Sequence, residues 1–359
     1  MTTAATLSEP QPITDESRYS RQVLFAPIGA EGQARLATAK VAIVGCGATG
    51  AAAASLLARA GVGTLTLIDR DFVEPSNLQR QVLFDEQDAL EALPKAEAAR
   101  RHIALFNSQI TVHAQIADLV PDNIEELLGP ADLILDATDN FETRYLINDY
   151  AVREGKPWIY AAAIGAYAAT MNILPGEHRT ACLACIFPKP PSGPVETCDT
   201  AGILSTAVNL AASMQVTEAL KYLTGHPEAM RRTLVSFDLW TPDGRLDRSE
   251  IATGQPDPDC AVCGQRIFSH LAGEGRPHIT LCGRNSVQIH EHHRPVSLAA
   301  MQQRLADRPE IEDLRANGLL LRFRRGAHTL TLFPDGRALI QGTTDIALAR
   351  SLYARFIGS

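Results

Sequence analysis

Four cysteines stand as two C-x-x-C pairs, Cys182-Leu-Ala-Cys185 and Cys260-Ala-Val-Cys263. Each spacing suits two ligands of a tetrahedral zinc held by four thiolates, and a separation of about 75 residues makes the metal a clip between distant segments. Redox dithiols or four free thiols are the alternatives. A second constellation is Gly45-Cys-Gly47-Ala-Thr-Gly50, which follows a β-branched run and precedes an alanine-rich one, with Asp69 closing the next strand-like run. Such glycines permit a tight turn and close approach of backbone to phosphate, and an acid about 20 residues on can bond ribose hydroxyls. Alone, the loop suits a dinucleotide, another nucleotide or a purely structural turn, in that order.

The segment Asp71-Phe-Val-Glu-Pro-Ser-Asn77-Leu-Gln-Arg80-Gln81 comes next. Its Asn, Arg and Gln suit triphosphate oxygens better than a nicotinamide ring, and Lys95 near a helix start adds a cation; the plain alternative is a solvated loop. Asp136 and Asp139 fall in Asp-Ala-Thr-Asp-Asn at the end of another apolar run. A carboxylate there can hold Mg²⁺ against phosphates, or cap the following helix, a role open equally to Asp139 and Asn140. Cys198 lies after a Pro-rich stretch, between Glu196-Thr197 and Asp199-Thr200. A thiol near a helix start can have a lowered pKa and act as a nucleophile, although a lone cysteine is more often inert. Cys46 reads as packing, and Cys282 has no role that its spacing supplies.

These residues need elements to position them. Val41–Val44, Thr64–Asp69, Ile110–His113, Asp132–Asp136 and Trp158–Ala163 read as strands. Helical runs over Ala51–Arg59, Lys95–Asn107 and Phe141–Arg153 alternate with them. Apolar strands separated by helices predict a Rossmann-like α/β fold, a doubly wound, mostly parallel sheet carrying the zinc-clipped segment. A helix over Ala207–Leu223 and a strand over Leu234–Phe237 follow. From about residue 278 the pattern changes to strands at His278–Ile289, Leu319–Phe323, His328–Phe333 and Ala338–Gln341, with helices at Leu298–Leu305 and Ile346–Phe356. The expected organisation is a short disordered tail (1–17), a large α/β domain with the zinc-type cysteine pairs (18–270) and a small C-terminal α+β domain (278–359).

Composition narrows the function class. The chain has 359 residues, 45% hydrophobic and 21% charged, with a net charge of -8. These are ordinary globular values, and the negative balance offers no field for nucleic acid or an anionic membrane surface. The most apolar window, Trp158 to Leu174, is interrupted by Gly, Tyr and Asn and falls short of a membrane span. Residues 1–17 form neither a secretory signal nor an Arg-rich transit peptide, and the expectation is a cytoplasmic protein.

From Arg18-Tyr-Ser-Arg21-Gln to about Gly264 the motifs, in order and spacing, resemble the ThiF/MoeB/HesA family of adenylating enzymes, related to ubiquitin-activating enzymes, and most of all its ThiF members. The matching elements are that opening, the glycine loop, Ser-Asn-Leu-Gln-Arg-Gln, Asp-Ala-Thr-Asp-Asn, both cysteine pairs and Cys-Asp-Thr-Ala-Gly. Leu281-Cys-Gly-Arg-Asn-Ser-Val-Gln-Ile and Phe333-Pro-Asp-Gly-Arg resemble a C-terminal extension of some bacterial ThiF proteins, not a rhodanese domain. Two features depart from the common pattern: Ala48-Thr49 where many members have Gly-Leu, and the small domain that shorter members lack. The resemblance implies ATP-dependent adenylation of the Gly-Gly carboxylate of a small ubiquitin-like sulfur carrier, for thiamine or, as a close second, molybdopterin synthesis. Asp69 would hold the ribose, Gly45, Gly47, Gly50 and Gln81 would line the nucleotide loop, and Asn77, Arg80 and Lys95 would meet the phosphates. Asp139 would hold Mg²⁺, and Arg21 would reach the site of the other subunit in a homodimer. Cys198 would link covalently to the activated carrier, with a sulfur donor protein as a further partner. An NAD-linked oxidoreductase and a non-catalytic zinc scaffold are the competing classes.

Overall fold

Five strands pair in parallel: β1 (Lys40–Val44), β2 (Thr64–Ile68), β3 (Thr111–Gln115), β4 (Leu133–Asp136) and β5 (Trp158–Ile164), in spatial order β3-β2-β1-β4-β5, with the apolar β1 and β4 at the centre. The computed structural model describes residues 14–189, 201–273, 279–282, 286–289 and 295–358. Alternate side chains feed two separate cores. Val41 and Ile43 join one with the helices that cover that face, and Ala42 and Val44 join the other. A sheet buried on both faces is what such continuous apolar strands require.

Helices α1 (Asp15–Val23) and α2 (Gly29–Thr38) precede β1, and α3 (Ala48–Ala60) links β1 to β2. The pair α4 (Glu86–Leu90) and α5 (Lys95–Phe106) leads to β3; α6 (Ile124–Leu128) and α7 (Phe141–Glu154) lead to β4 and β5. Thr14 caps α1, so the tail expected through residue 17 gives way to helix from Asp15. The alanines of α3 let it lie close to the sheet and to a long helix described below, and Ala51, Ala53 and Ala54 have no exposure.

Beyond β5 the sheet departs from the parallel reading. The apolar window folds back at Gly165, which has φ +56°, into the antiparallel β6 (Tyr167–Ile173), followed by β7 (Thr233–Asp238) and β8 (Asp247–Ala252). Eight strands result, the last three antiparallel to their neighbours. Between β6 and β7 come the short α8 (Leu183–Ile186) and the long α9 (Ser205–Leu223), which lies on α3.

The small domain has its own sheet and core. Its antiparallel strands are β9 (Ile279–Cys282), β10 (Ser286–Ile289), β11 (Glu312–Ala316), β12 (Leu321–Arg325), β13 (His328–Leu332) and β14 (Ala338–Gln341), in order β11-β12-β13-β14-β10-β9. Helices α10 (Leu298–Ala306) and α11 (Ile346–Phe356) cover one face through Leu305, Leu352 and Phe356. The single run expected over 278–289 is two strands, and β11 is an element that sequence periodicity did not show. Among the described residues no helix is long and apolar enough to cross a membrane.

Gln215 of α9 ties the sheet where the end of β4 lies beside the first residues of β5. Its buried Nε2 donates to the carbonyls of Asp136 and Ile159, both at 2.8 Å. Gln215→Leu strips two buried carbonyls of a donor, and a loss of about 1–3 kcal/mol is expected. Denaturant unfolding should show it as a lower midpoint with an unchanged slope.

Candidate active site

The loop between β1 and α3 crosses the carboxyl edge of the parallel strands. Gly45 sits at φ +92°, and a Cβ there would come within 2.6 Å of the Ala137 carbonyl. At Gly50 a Cβ would lie 1.8 Å from the Gly45 carbonyl, so the helix could not approach its own loop. Gly47, at the N-cap of α3, has no atom of the described residues beyond its chain neighbours within 4 Å of that position. The loop is therefore closed toward the protein and open at Gly47, the end where helix N–H groups face outward and favour anions.

Asp69, just past β2, is held in place by two backbone donors. Its carboxylate accepts from Cys46 N–H at 2.6 Å and from Asp71 N–H at 2.7 Å. Burial, above all, holds its pKa above the ordinary carboxylate value; Asp71 adds to the rise and Lys95 opposes it. Lys95, the first residue of α5, is buried with Nζ 3.1 Å from Asp71. Its backbone N–H donates to the Asp71 carbonyl at 2.9 Å. Asp69, Asp71 and Lys95 thus form one network beside the glycine loop.

The next turn brings the remaining polar residues. Asn77 is buried and its Oδ1 accepts from Glu74 N–H at 3.1 Å, which fixes the turn Pro75–Asn77. Arg80 folds back on the Ser76 carbonyl at 2.7 Å. Gln81 is buried, and its Oε1 has no hydrogen-bond partner among the described residues.

At the end of β4 the two aspartates separate in role. Asp136 is fully buried and pairs with Arg144 of α7 at 3.1 Å, so it is removed from the candidates for Mg²⁺. Burial raises the Asp136 pKa against the pull of Arg144. Burial opposes the Arg144 charge in turn, yet Asp136 foremost, with Tyr160 and Asp139, leaves its pKa raised. Asn140 takes the helix cap, accepting from Thr143 N–H at 2.8 Å, and leaves Asp139 exposed on the same edge. Asp71 and Arg144 are the partners that sequence reasoning did not single out; an Arg three residues into a helix that follows Asp-Ala-Thr-Asp-Asn was the only signal for the second.

Arg21 is not part of this cluster. It is exposed on α1, which Arg18, Tyr19 and Gln22 fasten to the Phe106 carbonyl, Asn107 and the Ala60 carbonyl, at the opposite ends of α5 and α3. Cys198 lies outside the described residues.

The four paired cysteines meet away from the nucleotide loop. Cys182 lies 3.7 Å from Cys260 and 3.8 Å from Cys185, Cys185 lies 3.3 Å from Cys263, and all four sulfurs are within 4.8 Å of one another. Four thiolates about 2.3 Å from a tetrahedral zinc stand about 3.8 Å apart, so the donor set and spacing fit that ion. Asn148 of α7 holds one arm, accepting from Leu183 N–H at 2.9 Å and donating to Cys182 Sγ at 3.7 Å. Crowding splits the thiols' titration: contact with Cys182 pulls Cys185 down to about 5, while burial first pushes Cys263 up to about 11.

The chain matches the ThiF family over residues 19–262. It is 46% identical over 344 residues to the sulfur carrier protein ThiS adenylyltransferase of Bacillus subtilis, a match covering 95% of this chain and 99% of that protein. The SAMP-activating enzyme E1 of Haloferax volcanii is 36% identical over 254 residues, 70% of this chain and 90% of that one. Among solved structures, Escherichia coli MccB with ATP has a TM-score of 0.57 at 26% identity, over 70% of this chain and 75% of that chain.

The buried pair at the end of β4 gives a direct test. Arg144→Met leaves Asp136 without its counter-charge, a change expected to cost roughly 3–5 kcal/mol at neutral pH. The folded variant then prefers the protonated acid, whose pKa is raised above the unfolded value, so the stability that protonation supplies is lost as pH rises through the folded pKa. Thermal melting compared near pH 5 and pH 7 should show the larger deficit at pH 7.

Proposed function

This chain belongs to the ThiF family, and from that premise we propose that it adenylates the C-terminal Gly-Gly carboxylate of a small ubiquitin-like sulfur carrier, with the carrier of thiamine synthesis as substrate. The observation that carries the choice of carrier is the 46% match to a ThiS adenylyltransferase, which runs through the small domain as well as the large one. The molybdopterin-pathway carrier is the second reading.

The chemistry is attack of a carrier carboxylate oxygen on the α-phosphorus of ATP, with loss of pyrophosphate to give an acyl adenylate. The nucleophile is already an anion, so no general base is required; the barrier is repulsion between negative groups. Lys95, Arg80 and Asn77 offset it at the phosphates, with the open Gly47 end of the loop beside them. Asp69 holds the ribose, and its two backbone donors keep both of its oxygens oriented. The exposed Asp139 would hold Mg²⁺, which would supply charge neutralisation on the phosphates. Arg21 sits at the far end of α3 and α5, which accords with service to the site of a second subunit in a homodimer. Cys198 follows adenylation, taking the activated carrier directly or through sulfur delivered by a donor protein.

Zinc held by Cys182, Cys185, Cys260 and Cys263 has a structural part in this reading. These four cysteines would hold the metal between the stretch after β6 and the connector after β8, which it would cross-link. A chelator strong enough to remove it should lower the melting temperature, and metal analysis of the purified protein should give one zinc per chain.

ATP–pyrophosphate exchange with each carrier tests the reaction. Exchange is expected with the thiamine-pathway carrier; exchange only with the other would reassign the pathway, and none with either would refute adenylation. Asp139→Ala should abolish exchange without unfolding the protein, whereas Cys198→Ala should spare it and impair sulfur transfer at most.

A further inference from the structure

The small domain does not hang from the large one; it grips the segment that carries the nucleotide residues. Along residues 69–77, Asp69, Asp71 and Asn77 serve the site network, while Phe72 and Glu74 between them face the small domain. Phe72 is 3% exposed, in a cluster whose other members include Leu320, Phe333 and Leu339 of that domain. The Arg322 guanidinium of β12 lies 4.9 Å from the Phe72 ring centroid. Gln341 of β14 donates to the Glu74 carboxylate at 3.4 Å, and the Glu74 backbone in turn fixes Asn77.

A chain of charges runs through the same seam. Gln288 Nε2 of β10 donates to Asp118 Oδ2 at 3.1 Å, and Arg70 Nη1 meets the same oxygen at 3.2 Å. Arg70 Nε is 4.0 Å from Asp71, and Asp71 is the partner of Lys95. Arg337 closes the seam: it is 1% exposed, lies over the Phe333 ring and donates to the Ile116 carbonyl just past β3. The polar reach of the small domain therefore runs through Asp118, Arg70 and Asp71 to the buried lysine.

We infer that the small domain is a positioning element of the nucleotide site, with Arg322, Gln341 and Gln288 holding segment 69–77 and the Asp71–Lys95 pair in register for ATP. This rests on the adenylation reading for the identity of the ligand, while the grip itself is read from the seam. None of these three side chains touches the reacting atoms. Their effect falls on ATP affinity rather than on carrier recognition. Linkage makes the coupling reciprocal, so ATP also tightens the seam.

The test uses the full chain. Arg322→Leu and Gln288→Glu should each raise the KM for ATP about fivefold, while the KM for the carrier and the zinc content stay near the wild-type values. Arg322→Lys should recover most of the loss, and Arg324→Gln, exposed on the same strand, should have no effect. Folded Arg322→Leu and Gln288→Glu proteins with wild-type ATP KM would overturn the inference. Should either variant fail to fold, amide exchange of the wild type decides: ATP with Mg²⁺ should slow exchange in residues 69–77 and in Leu320–Phe323, and protection confined to the large domain would overturn the grip. Wild-type protein that exchanges no pyrophosphate with either carrier would sink the adenylation reading alone, and ATP-dependent protection at the seam would still judge the grip.

Discussion

Lys95 sets an ammonium at the edge of the protein interior, with its side chain only 3% exposed. Burying an ammonium is unfavourable unless a counter-charge and hydrogen bonds meet it, and the carboxyl edge of the sheet is arranged to supply them. Asp71 provides the carboxylate at 3.1 Å, and its carbonyl takes the Lys95 backbone N–H. Asp71 N–H in turn donates to Asp69, whose other donor is Cys46 inside the glycine loop. One network thus fixes the loop after β1, the end of β2 and the start of α5 together. A cation set in a low-dielectric wall acts on an arriving phosphate without reorganising, which is where adenylyl transfer between two anions needs help.

The same network explains why the flanking residues must be held from outside. A loop of charged side chains between a strand and a helix does not order itself. Here the polar residues face the site and the intervening Phe72 and Glu74 face a second folded unit. The zinc-type cluster does the corresponding work at the other end of the sheet. There the connector after β8 is drawn onto α7 by Cys260 and Cys263 meeting Cys182 and Cys185, with Asn148 and Asp149 of α7 bonding the two segments. Both devices fasten stretches that have too little apolar surface to pack by themselves.

Much of this was legible in the residues. The parallel strands announced themselves by β-branched runs, and the glycine loop and both cysteine pairs announced themselves by spacing. Three things did not. β8 reads Asp-Arg-Ser-Glu-Ile-Ala and is exposed throughout, so no hydrophobic alternation marks it; its pairing with β7 holds it in place. β6 was hidden in one apolar window because the reversal rests on a single glycine at positive φ. The seam between domains was invisible because Arg322, Arg337 and Gln288 look like surface residues of strands and turns, whereas Arg337 is 1% exposed and reaches the Ile116 carbonyl of the large domain. Helix capping was ambiguous for a simpler reason: Asp139 and Asn140 are both good caps, and only backbone geometry assigns the role to Asn140, which frees Asp139 for solvent.

That last assignment bears on which nucleotide the glycine loop serves. Taken alone, the loop fits a dinucleotide, whose second half must extend past β4 toward a catalytic pair for hydride transfer. Here the end of β4 is occupied by the Asp136–Arg144 pair, locked at 3.1 Å, with the exposed carboxylate of Asp139 beside it. An exposed carboxylate beyond the phosphate loop repels a bare polyphosphate and is useful only with a divalent cation between them. Lys95, Arg80 and Asn77, on the turn and helix that follow β2, add the cations and the amide that the proposed triphosphate reading calls for. In the proposed reading a metal-bound triphosphate would satisfy Asp139 and the cations at once.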